Sequence, residues 1–233
     1  MAALPALLLF ARVPRAGAVK TRLAARLGDD GALRLYRAFL EDAGRAYARP
    51  ERWESVLCGE PDGLDAGFDL PFPPPWRRTS QVSGDLGGRL AAAFEEAFAA
   101  GAPAAAAVGA DHPALPGARV AELFDALAAG ASAAIIPADD GGYCAIGLER
   151  GVPPRLVFDA MAWSTGRVLS ATLERLSAAG VAHRVLAPAY DVDRPEDLDR
   201  LGRDLSRHDP RADDYPRATA AALRALAHRG QTP

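Results

Sequence analysis

The sequence predicts an α/β protein, with a mainly parallel central sheet flanked by helices and one small antiparallel element. Short apolar runs alternate with helical segments almost throughout the 233 residues, the pattern of parallel strands joined by crossover helices. The chain is 49% hydrophobic and 24% charged, enough to build one full core, so residues 1–233 are read as a single domain. An Asp-Gly-Gly turn at 140–142 between two apolar runs signals the hairpin that supplies the antiparallel element.

The elements follow in order. Leu7 to Phe10 is a buried strand by its flanks. Ala11 to Val19 is a loop with Pro14 and Gly17, and Lys20-Thr21-Arg22-Leu23 opens a helix. Asp30 is expected to cap a further helix that runs to about Ala48, with Leu33, Tyr36 and Leu40 on one face. Trp53 to Cys58 is a strand, Gly59 to Pro75 an irregular crossover, and Arg77 to Val82 a short strand. A helix from Leu86 to Ala100 leads to the strand Ala104 to Gly109 and a helix from Gly117 to Ala128. The strands Ser132 to Pro137 and Cys144 to Leu148 flank the hairpin turn. Gly151 to Ala162 reads as irregular; a helix then runs to Ala178, with Ser164 or Thr165 as its cap and Gly180 beyond its end. A strand from Ala182 to Ala187 precedes a helix that starts at Pro195, and an Ala-rich helix, 217–228, packs on the outside.

The totals exclude some functions. A net charge of −3 gives no basic excess for a nucleic-acid backbone, so no nucleic-acid partner is expected. The apolar run near the N-terminus is too short to span a bilayer and follows no basic residue, so no membrane partner is expected and the protein is read as cytoplasmic. Cys58 and Cys144 lie far apart without metal spacing and read as buried thiols. Oligomeric state is left open, with a dimer as one candidate.

Chemistry-bearing residues recur where strands end. Gly109 lets the chain turn as it leaves its strand, and Pro113 delays the next helix, which leaves Asp111 at the carboxyl edge of the sheet. Open α/β sheets bind ligands at that edge. The strand–loop–helix around Lys20, the only lysine in the chain, suits phosphate, with Arg12 and Arg22 beside it. It is not a Walker loop, which needs Gly-Lys followed by Ser or Thr. Gly84, Gly87 and Arg89 open the next helix; they read equally as the approach for a flat ligand such as a base or as a helix start capped by Asp85. Asp139, Asp140, Gly141, Gly142 and Tyr143 read either as a plain turn or as carboxylates for sugar hydroxyls with an aromatic ring to stack on. Asp191 and Asp193, two apart in an extended segment, point to one face. Asp111 with Asp193 or Asp191 would make a hard-ligand set for Mg²⁺ (or Mn²⁺) between the protein and a diphosphate. Lys20 and Asp111 are the candidate catalytic residues, Lys20 acting by placed positive charge.

The segments FARVPRAGAVKTRL, GDLGGRL, VGADHPALP, PADDGGYCAIGL, WST and DVDRPEDL, in that order from Phe10 to Leu198, resemble the glycosyltransferase-A-like family catalogued as DUF2064, within the nucleotide-diphospho-sugar transferase superfamily. The resemblance implies a Rossmann-like GT-A fold, with a nucleotide or nucleotide-sugar in the N-terminal half and a small-molecule acceptor in the C-terminal half. It implies that Lys20 meets phosphate, that Asp111 meets metal, and that residues 139–143 with Trp163, Ser164 and Thr165 face the sugar or acceptor. GT-A transferases often carry Asp-x-Asp at the metal strand; here Gly109-Ala110-Asp111 offers one carboxylate, so the second must come from Asp193 or Asp191. His112 reads as packed beside Asp111 rather than as a further ligand. Glycosyl transfer to a small acceptor is the leading expectation. The KTRL and Asp111 segments also look like those of guanylyltransferases, so nucleotidyl transfer with diphosphate release is the alternative, and nucleotide-sugar binding without turnover is a third. No Ser-His-Asp set supports a hydrolase of that kind.

Overall fold

The computed structural model describes residues 3–60, 72 and 74–229. Among these residues seven strands form one sheet: β1 (Ala6–Ala11), β2 (Glu54–Gly59), β3 (Arg77–Ser80), β4 (Ala104–Gly109), β5 (Ala133–Pro137), β6 (Tyr143–Glu149) and β7 (His183–Val185). Their order is β3-β2-β1-β4-β6-β5-β7, and β6 alone runs antiparallel to its neighbours. The helices are α1 (Thr21–Ala46), α2 (Leu86–Ala99), α3 (Gly117–Ala128), α4 (Pro154–Phe158), α5 (Val168–Ala178), α6 (Pro195–Arg207) and α7 (Arg217–Arg229).

The apolar strands are buried on both faces, and their side chains alternate between two cores. Leu7, Leu9, Ala106, Val108 and Ile136 join the helices α1 and α3 on one face. Leu8, Val56, Ala105, Ala107, Ile135 and Ile146 meet α2 on the other. Thus β1 and β4 sit centrally, and their carboxyl ends open side by side. The amide of Ala110 donates to Phe10 O (3.2 Å), which carries this pairing one step past the end of β4.

Three local expectations are corrected. The helix break falls at Gly28 (φ 69°, ψ 165°), two residues before Asp30, because glycine takes that left-handed turn without strain. The 151–162 interval is not wholly irregular but holds α4, with Pro154 in its first turn. Neither Ser164 nor Thr165 caps α5. Its cap position is Arg167, without a side-chain bond; Ser164 sits at φ 61°, and Thr165 Oγ1 donates to Ala162 O (2.7 Å), which closes its own loop instead. Most of the predicted 59–75 crossover lies outside the described residues.

The outer helix α7 is tied to α1 by one carboxylate. Asp42, 6% exposed, accepts from the amides of Ala218 (3.1 Å) and Thr219 (2.7 Å), so α1 caps α7. Asp42→Ala is expected to lower stability by about 1–2 kcal/mol, read as a lower urea midpoint with an unchanged slope. An unchanged midpoint would show that this cap contributes nothing. Among the described residues no helix is long and apolar enough to cross a membrane.

Candidate active site at the carboxyl edge of the sheet

The loop after β1 is pinned from two sides. Tyr36 Oη accepts from the Arg12 amide (2.8 Å) and donates to Arg12 O (3.2 Å). Glu60, at the end of β2, accepts from the Val13 amide (3.2 Å) and pairs with Arg12 Nε at 3.8 Å. Gly17 turns at φ 73°, and the loop ends on Lys20 in the left-handed region (φ 50°, ψ 40°), uncommon for a side chain this long. No side chain caps α1 there and its first turn carries no acid, so the positive helix end is left for other anions.

Lys20 reaches from this loop into the sheet edge. Its Nζ lies 2.7 Å from Asp111 Oδ1 and 2.7 Å from Asp193 Oδ1. The lysine side chain is 4% exposed, while the two carboxylates are 45% and 38% exposed. Burial alone would depress the Lys20 pKa, but the two carboxylates outweigh it and leave the value raised, so the ammonium stays charged. Burial likewise works against the Asp193 carboxylate, yet the neighbouring Lys20 ammonium holds its pKa below the ordinary value, and Arg22 adds to this. Asp191 has the Asp193 carboxylate, not an ammonium, as its side-chain hydrogen-bond partner. Burial and the adjacent Asp193 push its pKa up to about 6. The edge therefore carries more carboxylate than the one ammonium neutralises.

The backbone brings these groups together. Val192 N donates to Asp111 O (3.0 Å), which stitches the Asp191–Asp193 segment to the loop after β4. His112 Nδ1 lies 3.3 Å from Tyr190 O, and burial lowers its pKa, so a neutral ring packs beside Asp111. Asp197 Oδ2 accepts from the amides of Asp193 (3.0 Å) and Arg194 (2.7 Å) and fixes the start of α6.

The hairpin acids diverge. Asp139 pairs with Arg200 of α6, whose guanidinium lies 3.7 Å from the centre of the Tyr190 ring. Asp140 faces a cavity together with Gly142, Tyr143, Trp163, Ser164, Thr165 and Asp191. Gly141, at φ 88°, does not line it; a Cβ there would lie 2.3 Å from Gly166 O, so the turn packs directly on the loop before α5. Gly87 makes a similar close approach, with its would-be Cβ 2.3 Å from Phe158 O, so its small size serves the packing of α2 on α4. Gly84 turns at φ 126°, and Arg89 Nε donates to its carbonyl (2.9 Å). Arg12, Arg22 and Arg89 lie outside that cavity lining. Both cysteines are buried and unpaired, and burial pushes each thiol up to about 12.

Glu60, Tyr36 and Arg200 were missed by sequence reasoning. Tyr36 reads as one more residue of an apolar helix face, and nothing in the sequence pairs Asp139 with a residue 61 positions later.

The edge suits a divalent cation. Asp111 and Asp193 are hard oxygen donors with exposed faces, and Asp191 supplies further negative charge beside them. Among the described residues no three His, Cys, Asp or Glu side chains gather closely enough to hold an ion alone. A small hard cation needs only one or two protein carboxylates and takes its other ligands from phosphate and water.

Comparisons with known proteins agree with the architecture. A crystal structure of a candidate nucleotide-diphospho-sugar transferase from Desulfovibrio desulfuricans G20 is 31% identical over 95% of this chain and 97% of that one, with a TM-score of 0.82. A cytidylyltransferase from Leptospira borgpetersenii (9% identical, 99% and 95% covered, TM-score 0.59) shares the fold. So does a 4-diphosphocytidyl-2C-methyl-D-erythritol synthase from Anaerococcus prevotii (12% identical, 88% and 97% covered, TM-score 0.55). No curated protein matches the sequence. The family described as "Uncharacterized protein conserved in bacteria (DUF2064)" matches residues 43–165, more than half of the chain, so the chain belongs to the DUF2064 family.

Proposed function

We propose that the protein is a nucleotide-using transferase that moves a sugar from a nucleotide-diphospho-sugar to a small acceptor, with Mg²⁺ or Mn²⁺ assisting. The observation that carries this is the Lys20 ammonium set between Asp111 and Asp193, 2.7 Å from each, at the carboxyl edge of the central strands. It is one placed positive charge among carboxylates that suit a second. The 31% identical relative, described as a candidate nucleotide-diphospho-sugar transferase, supports the same substrate class.

In this reading the acceptor's nucleophilic oxygen or nitrogen attacks the anomeric carbon. The bond from that carbon to the diphosphate breaks, and its electron pair leaves on the diphosphate. Lys20, with the start of α1, holds the phosphates and offsets the charge that builds there. Asp111 and Asp193 would hold the cation, which would supply a second positive charge for the leaving diphosphate. In the same reading Asp140 or Asp191, both in the cavity lining, accepts the acceptor's proton.

The test is product analysis with Mg²⁺ and a set of nucleotide sugars. Release of a nucleoside diphosphate with a glycosylated product is expected. Release of inorganic diphosphate from a nucleoside triphosphate would instead identify nucleotidyl transfer, and tight binding without any product would identify a binding protein.

A further inference from the structure

The cavity beside the carboxylates has a volume of about 220 Å³. Its apolar lining includes Phe10, Leu86, Leu90, Val108, Ile146 and Val168. Tyr143 and Trp163 form one corner, edge to face at 82° with ring centres 6.3 Å apart. Its ionisable side chains besides Tyr143 and Cys144 are Asp140, Asp191 and the neutral His112; among the described residues no lysine or arginine lines it. The segment 61–71 contains none either.

We propose that this cavity receives the acceptor, and that the acceptor is an alcohol or amine with an apolar body, not a phosphorylated compound. The inference rests on the transferase reading and names its second substrate. An apolar cavity of about 150 Å³ already admits a benzene ring, so a ring with a short polar arm fits here. A phosphate in the same place would lie beside two carboxylates and the neutral His112 ring, with no lysine or arginine in the lining to pair with it, which is unfavourable. A hydroxyl or ammonium group meets Asp140 and Asp191 as a hydrogen-bond donor instead.

Trp163 supplies the reporter. Its Nε1 is buried and makes no hydrogen bond among the described residues. Its indole signal in a ¹H–¹⁵N spectrum, identified by its loss in Trp163→Phe, is followed while 2-phenylethanol, 2-phenylethylamine or phenyl phosphate is added at millimolar concentration. The alcohol and the amine are expected to shift the signal, and phenyl phosphate to bind at least tenfold more weakly. Asp140→Asn should weaken the amine several-fold and the alcohol distinctly less. Phenyl phosphate binding as tightly as the alcohol, or a Trp163 signal that none of the three moves, would overturn the inference; so would an amine affinity indifferent to Asp140→Asn. Calorimetry of the same protein with a nucleoside diphosphate and Mg²⁺ tests the transferase reading separately. Normal nucleotide binding beside a failed probe series would remove the acceptor inference alone.

Discussion

Asp111→Asn is expected to remove most of the Mg²⁺-dependent affinity for nucleoside diphosphates, on the order of 100-fold or about 2.7 kcal/mol. The amide keeps the side-chain shape but loses the negative charge that a hard cation needs. Lys20 keeps Asp193 as a partner 2.7 Å away, so the ammonium stays anchored and the fold should hold. Binding measured without metal should change far less, because that affinity comes from Lys20 and the loop. Equal affinity of both proteins in Mg²⁺, measured by calorimetry, would remove Asp111 from the metal site.

Lys20→Ala has the second largest expected effect. It should weaken nucleoside diphosphates by about 10- to 100-fold, the range for losing a hydrogen bond to a charged group, while nucleosides lose little. The difference between the two ligand classes isolates the phosphate term from any general loosening. Some loosening is expected, since Asp111 and Asp193 then face each other with no ammonium between them. Both carboxylates are more than a third exposed, so solvent screens most of that repulsion. Equal weakening of nucleosides and diphosphates would reject the phosphate role.

Much of the fold was legible because its strands are short, apolar and bounded by glycine or proline. The run at 7–10 and the alanine run at 104–109 carry their two-sided burial in composition, and Asp-Gly-Gly announced the hairpin. What stayed hidden depended on partners distant in sequence. The choice between Gly28 and Asp30 as the helix break turns on one backbone angle. Thr165 has the side chain of a helix cap, yet its hydroxyl is taken by Ala162 O.

For the candidate site, Lys20, Asp111 and Asp193 were singled out from different strand ends, and the fold brings all three within one hydrogen-bonded group. Asp139 and Asp140 are indistinguishable as neighbours in sequence. Asp139 is drawn to Arg200 on α6, while Asp140 Oδ1 accepts from the Gly142 amide (2.9 Å) and Asp140 lines the cavity. The cavity's apolar lining was illegible for a related reason. Phe10, Val108 and Ile146 look like ordinary core residues, and it takes the sheet order to place them at the edge where ligands bind.

The central claim, a phosphate-and-metal site at Lys20, Asp111 and Asp193, is tested most directly by thermal stabilisation against nucleoside di- and triphosphates and nucleotide sugars, with and without Mg²⁺. A ligand that binds the folded state raises the melting temperature by mass action. The expected result is a rise with a nucleotide sugar that needs Mg²⁺ and is lost in Asp111→Asn. No rise with any of these ligands, or a rise indifferent both to Mg²⁺ and to Asp111→Asn, would contradict it.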